Sequence, residues 1–298
     1  MKEKKTKKAK GPLSKVLNFL ILLFFLAGAG VFTYPTFSDM WNQYRNEQLV
    51  SSYQSTVQDL EDTDKEKLWQ SAQDYNAQHD TNRIVDAFNE DDDYVLSHPY
   101  DSILDVNGDG LMGSIEIPKL KLNLAIYHGI GNDVLEKGIG HVEGTSIPIG
   151  GKGTHAVLAG HRGLPSAKLF TDLDQMEIGD IFLIHVLDQT LAYKVDQIKT
   201  VLPENTEDLA IDPEEDYVTL ITCTPYGVNT HRLLVRGVRT SYQETKTEKT
   251  VAQELAKVSP MKIMLAGLVV LVLLLGVIYF LVAKRRASKL KKSPNSKP

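Results

Sequence analysis

The sequence predicts a mainly β fold with helices at both ends, and three observations point to it. Between Gly113 and Thr240, short β-rich runs alternate with Gly, Pro and Asn punctuation. Ahead of them, Trp41, Tyr44, Leu49, Tyr53, Val57 and Leu60 recur at roughly helical spacing. Near each end lies a long apolar run flanked by Lys and Arg.

The elements follow in chain order. Residues 1–15 form a basic tail with seven lysines and one glutamate. Residues 16–34 are apolar and long enough to serve as a membrane-spanning helix, which takes roughly 20 residues. The run exceeds the usual core of a secretory signal, which favours an uncleaved signal-anchor over a cleaved signal peptide. Residues 35–112 read as a pair of amphipathic helices, broken at the charged stretch "EDTDKEK" and followed by an acidic loop region. Leu68, Ala72 and Tyr75 continue the apolar stripe beyond that break.

Residues 113–240 hold the strands: "GSIEIPKL", "LNLAIYHG", "THAVLAGH", "GDIFLIHVLD", "TLAYKVDQIKTVLP", "DYVTLITCTP" and "HRLLVRGVRT". About eight short strands in one stretch indicate a closed barrel or a sandwich. No repeat is visible. Residues 241–260 are a polar stalk, 261–283 a second apolar run and 284–298 a second basic tail. Ile263–Ala283 contains no charged residue. Basic flanks stay on the cytoplasmic side of a membrane, so both termini are expected inside and the middle outside.

The chain is −5 overall. Both tails are strongly basic, so the segment between them is markedly acidic, which disfavours nucleic acid as a partner. Cys223 is the sole cysteine. An intramolecular disulfide is therefore excluded, and an exported odd cysteine is a buried small group, an intermolecular partner or a reactive thiol.

A reactive thiol needs a nearby base or cation, and an oxyanion needs a fixed donor. His161 closes an apolar strand in "AVLAGHRGLP", which sets the imidazole at a rim. Arg232 follows Cys223 after the turn-rich "TPYGVNTH", so the chain doubles back and brings Arg232 onto an adjacent antiparallel strand. Arg236 shares its face at period two. Taken singly, Cys223 reads as a small hydrophobe, His161 as a loop histidine and Arg232 as a rim charge; their combination reads as a nucleophile, an acid/base and a clamp. His128, His141, His155, His185 and His231 are dispersed and show no metal-ligand spacing.

"TLITC" resembles the TLxTC signature of sortases, the cysteine transpeptidases of Gram-positive surfaces. "THAVLAGHRGLPSAKLFTDLD" and "TLITCTPYGVNTHRLLVRG" resemble their pilin-polymerising class C branch, over roughly residues 40–285. The resemblance implies a closed eight-stranded sortase-type barrel, with Cys223 as nucleophile, His161 as acid/base and Arg232 as oxyanion and substrate clamp. It implies cleavage of an LPxTG-like sorting signal on a pilin subunit, a thioester on Cys223, and transfer to a pilin lysine without cofactor or metal. The alternatives are a housekeeping sortase that attaches proteins to peptidoglycan, or an anchored scaffold with an inert thiol.

Class C sortases carry a lid with an Asp-Pro-aromatic motif. The expected counterpart is Asp86-Ala87-Phe88, with Ala87 in the proline position, and the second candidate is His98-Pro99-Tyr100. In that role Asp86 pairs with Arg232 and Phe88 covers Cys223. "DVNGDGLMGSIE" matches a calcium-loop spacing at Asp105, Asn107, Asp109, Gly110 and Glu116. Glu116 falls in a strand and no exiting helix follows, so an Asn-Gly-Asp-Gly turn into the first strand accounts for the same residues.

Overall fold

The computed structural model describes residues 12–78, 86, 88 and 96–241; the side chains of 12–19, 21 and 22 lie outside the description. The strands are β1 (Leu111–Ile117), β2 (Leu122–His128), β3 (Ile139–His141), β4 (Thr154–Ala159), β5 (Ile181–Val186), β6 (Gln189–Val201), β7 (Asp216–Thr224) and β8 (His231–Thr240). They close into a barrel in the order β1-β2-β3-β4-β7-β8-β6-β5. Closure, rather than a sandwich, resolves the choice that strand count left open, and it leaves no free sheet edge.

β4 and β7 run parallel side by side, from Thr154 opposite Asp216 to Ala159 opposite Ile221. Every residue of β4 is buried, as expected of a parallel strand covered on both faces, which reads as a continuous apolar run instead of an alternation. In β6 the buried Tyr193 and Val195 alternate with the exposed Lys194 and Asp196, the pattern of an antiparallel strand with one wet face. Ile115, Ile126, Phe182, Ile184, Leu220 and Val235 are among the residues that fill the core.

Two helices precede the barrel: α1 (Pro12–Asp59) and α2 (Asp62–Gln78). The end expected for the apolar run at residue 34 falls inside a helix. α1 is one helix that runs through Pro35, whose missing N–H removes a single backbone bond. Helical bonding on either side, and docking of the second half, outweigh that loss. Val50, Tyr53 and Val57 are buried at helical spacing, each worth roughly 1.5–3 kcal/mol of apolar burial. Two polar side chains fix the register. The Asn46 amide accepts from the Ala125 N–H at 3.0 Å and donates to the Lys137 carbonyl at 3.1 Å. The Tyr53 hydroxyl donates to the Met112 carbonyl at 3.1 Å and accepts from the Leu187 N–H at 3.0 Å.

The break between helices falls at Leu60–Glu61, just before Asp62 and Asp64 place negative charge on the first turn of α2, where the helix dipole favours it. Among the described residues no helix is long and apolar enough to cross a membrane. Several side chains of the 16–34 run and all of 261–283 lie outside them, as do the stalk and tail beyond Ser241.

Three buried histidines serve the fold. His128 bonds the carbonyls of Gly110 and Ile103, and His141 bonds the Ser146 carbonyl. The His155 imidazole lies between the Ala210 carbonyl at 2.9 Å and the Thr219 hydroxyl at 2.7 Å. Burial pushes its pKa down to about 4. The unfolded chain then binds the proton more tightly, so this contribution is complete above about 6.5 and is lost as pH falls toward about 4. His155 should withdraw about 2 kcal/mol of stability between pH 8 and pH 5. Denaturant midpoints for the wild type and His155→Gln at both pH values test this; the variant should show a visibly shallower acid loss.

Candidate active site

The strand order sets three side chains together. Cys223 on β7 pairs directly with Arg232 on β8. On the other side, the parallel register of β4 and β7 ends with Ala159 opposite Ile221. Carried two residues on, it sets His161 opposite Cys223. Hydrogen bonds extend the pairing past the end of β4: the Gly160 N–H donates to the Ile221 carbonyl at 3.1 Å, and the Thr222 hydroxyl donates to the Gly160 carbonyl at 2.7 Å. The three adjoining segments thus bring His161, Cys223 and Arg232 to neighbouring positions at one end of the barrel.

Asp86 and Phe88 lie at this end of the barrel. The Asp86 carboxylate accepts from Arg232 Nε at 2.7 Å and from Nη2 at 2.6 Å, a bidentate pair matched to a guanidinium fork. The Phe88 ring stands 5.7 Å from the His161 ring, and the Arg232 guanidinium lies 5.2 Å from the centre of the same ring. Phe88 is thus placed against His161 and Arg232. The other edge of Arg232 is taken: Nη1 donates to the carbonyls of Asn229 and His231, both at 3.1 Å. These bonds fix the plane of the fork. Beside it is a small pocket lined by Val201, Leu209, Ile221 and Leu234 with Asp86 and Arg232.

The sortase-domain family model matches residues 115–240. A crystal structure of sortase C-1 from Streptococcus pneumoniae superposes with a TM-score of 0.63 at 42% identity, covering 66% of this chain and 100% of that one. The chain belongs to the sortase family. The pilus-related sortase C of Group B Streptococcus superposes with a TM-score of 0.60 at 39% identity, covering 67% of this chain and 98% of that one. Among curated sequences, a sortase A of Streptococcus agalactiae serotype III is 32% identical over 130 residues, 43% of this chain and 52% of the relative. The match thus spans about half the length of that curated sortase.

In this sortase the thiol and the imidazole are both held neutral. Burial pushes the Cys223 thiol up; Arg232 pulls it down, and Asp86 adds a further upward push. Burial also holds His161 below the usual imidazole range, partly countered by Glu136. Burial works against the charge of Arg232, but hydrogen bonding to Asp86 holds its pKa raised.

Sequence reasoning missed Arg162 and Glu136. Arg162 Nη1 donates to the Thr224 hydroxyl at 3.0 Å, and its Nη2 pairs with Asp174. It therefore ties the residue after His161 to the residue after Cys223. Its place in "GHRG" is a usable signal; Glu136 carries none.

The remaining predicted residues lie elsewhere. Tyr100 of the second lid candidate is fully buried and accepts from the Gly129 N–H at 2.9 Å. His98 pairs with Asp101. Ala87 lies outside the described residues. Arg236 bonds Asp196 through Nε at 3.2 Å and Nη2 at 2.6 Å. Asp105 accepts from the N–H groups of Gly108 and Asp109, and Asp109 accepts from that of Leu111. Glu116 sits on β1 with its carboxylate 3.4 Å from His185. The bonds of Asp105 and Asp109 are those of a turn that opens the first strand. His231 is bonded to the Thr230 hydroxyl.

Proposed function

We propose that this sortase is a membrane-anchored, pilin-polymerising cysteine transpeptidase, with Cys223 as nucleophile, His161 as acid/base and Arg232 as clamp. The observation that carries the reading is the bidentate Asp86–Arg232 pair. It occupies the fork edge that a substrate carbonyl and its oxyanion require.

The reaction follows from that arrangement. A sorting signal of LPxTG type displaces Asp86 and Phe88 and lays its apolar residues in the pocket beside Ile221 and Leu234. The Cys223 sulfur attacks the Thr carbonyl carbon, and the thiol proton passes to His161. Nε and Nη2 of Arg232, freed from Asp86, hold the oxyanion. The Thr–Gly C–N bond then breaks, and the leaving amine takes the proton from His161. The resulting thioester is attacked by a lysine amine of the next pilin. The C–S bond breaks, the proton lost by the amine passes through His161 to the departing sulfur, and an isopeptide bond remains. No nucleotide enters the step, because one acyl bond is exchanged for another.

Membrane anchoring rests on the two apolar runs and their basic flanks. They support a barrel on the outer face with both tails inside. The pilin class of substrate is supported by the similarity to the pilus-related sortase C. A peptidoglycan-attaching enzyme is the second reading, favoured by the stretch shared with the sortase A. Incubation with a purified pilin separates them. A Cys223-dependent ladder of covalent multimers is expected; peptide cleavage without a ladder would favour the second reading.

Asp86 and Phe88 act as a lid on this proposal, and the apparent affinity for substrate falls with the closed fraction. Opening should lower the thiol pKa, since it removes both the burial and the Asp86 charge. Asp86→Ala and Phe88→Ala should therefore speed alkylation of Cys223 at neutral pH by roughly 5-fold or more. Unchanged labelling in both, with acceleration in Tyr100→Ala, would move the lid to residues 98–100.

A further inference from the structure

The loop that follows His161 is held from outside the barrel. Residues 161–172 leave β4, turn back and pack on their own origin. The Phe170 N–H donates to the His161 carbonyl at 3.1 Å, and the buried Phe170 ring rests on Gly160. A Cβ at Gly160 would sit 2.7 Å from that ring, so this approach admits only glycine. One residue earlier, Leu169 is buried and has φ of 37°, a left-handed conformation that a side-chain-bearing residue holds only when its surroundings impose it.

Those surroundings include α1. The Asp39 carboxylate accepts from the Lys168 N–H at 2.7 Å, immediately before the strained residue. Its other oxygen accepts from Gln43 Nε2 at 3.0 Å, one turn on. Ser38 donates from its hydroxyl to the Ser166 carbonyl at 3.0 Å. The helix is independently fastened to the barrel through Asn46 and Tyr53, so it serves as a fixed brace. The connection runs from α1 through Lys168 and Leu169 to Phe170, and from there to the backbone of His161.

We infer that Asp39 is a positioning residue: from α1 it holds the loop after His161 in its strained form, and so keeps the imidazole opposite Cys223. The inference rests on the transpeptidase reading for its link to catalysis. It also makes the helix that carries the N-terminal apolar run a working part of the site.

The test uses the full chain in detergent, with an LPxTG-type peptide as probe and hydrogen exchange on the same samples. Asp39→Ala should speed exchange across 161–172 and lower kcat roughly 10-fold, with KM within about twofold, as expected when a reacting group is misplaced and substrate binding is intact. Asp39→Asn keeps an oxygen for the Lys168 N–H and should restore most of kcat and the slow exchange. If Asp39→Ala does not fold, Ser38→Ala takes its place, with the same direction and a smaller effect. Wild-type exchange and kcat in the alanine variant would overturn the inference. So would an Asp39→Asn as impaired as Asp39→Ala, which would make charge the operative feature. If the wild type itself shows no Cys223-dependent cleavage, the functional reading fails, and the exchange data alone decide whether Asp39 holds the loop.

Discussion

Cys223→Ala is expected to remove peptide cleavage and transfer altogether, with the fold intact. The thiol is the only cysteine in the chain, so no second sulfur substitutes for it. The substitution removes one atom at the end of β7, where Cys223 belongs to the buried rim rather than to the packed core clusters. Stability should therefore change little, and a thermal melt reads that directly. His161→Ala should be nearly as inactive, since the thiol is held neutral by burial and needs a partner to accept its proton. Because burial also keeps His161 below its ordinary range, the neutral imidazole stays available as a base to a lower pH than a free histidine would allow. The activity of the wild type should therefore persist to mildly acid pH and fall only as His161 becomes protonated. Residual transfer by Cys223→Ala at more than background rate would show that the nucleophile lies elsewhere.

Arg232→Lys is the second large effect. The guanidinium uses two edges at once: Nη1 is bound to the carbonyls of Asn229 and His231, and Nε with Nη2 faces Asp86. A lysine ammonium is a point charge and cannot hold both edges. The substitution should cost roughly 100-fold or more in kcat, the scale of a lost oxyanion donor. It should also loosen Asp86, so Cys223 alkylation should rise while peptide cleavage falls. That opposite movement separates loss of chemistry from loss of access. Arg236→Lys is the control, since its fork is committed to Asp196 and its guanidinium lies 4.1 Å from the centre of the Tyr217 ring. Normal turnover in Arg232→Lys alongside impaired turnover in Arg236→Lys would reverse the assignment.

Much of this is legible in the sequence because strand pairing is a local matter near a tight turn. Cys223 and Arg232 are joined by one turn, so their pairing follows from the count of residues. His161 is readable from its place at the end of an apolar strand. Asp86 and Phe88 come from the resemblance to the lid motif of class C sortases, and the Asp86 carboxylate pairs with Arg232. Phe88 is expected over Cys223, and its ring lies against His161 and Arg232, the residues on either side of that thiol.

What escapes has physical causes. β3 is three residues long, too short to show any period, and its sequence is punctuated by glycine. The continuity of α1 through Pro35 depends on helical bonding and docking that a single proline does not overcome. Asp39 meets Lys168 across a distance in sequence that no local pattern encodes. The same holds for the influence of Glu136 on His161.

On this mechanism Cys223 carries the acyl group between cleavage and transfer. Intact-mass spectrometry of the full chain, quenched in acid during turnover of an LPxTG-type peptide, tests it most directly. The expected result is an added mass equal to the peptide without its residues after Thr, located on the Cys223 segment, released by hydroxylamine and absent in Cys223→Ala. Cleavage with no adduct at any time point, or an adduct that survives in Cys223→Ala, would contradict it.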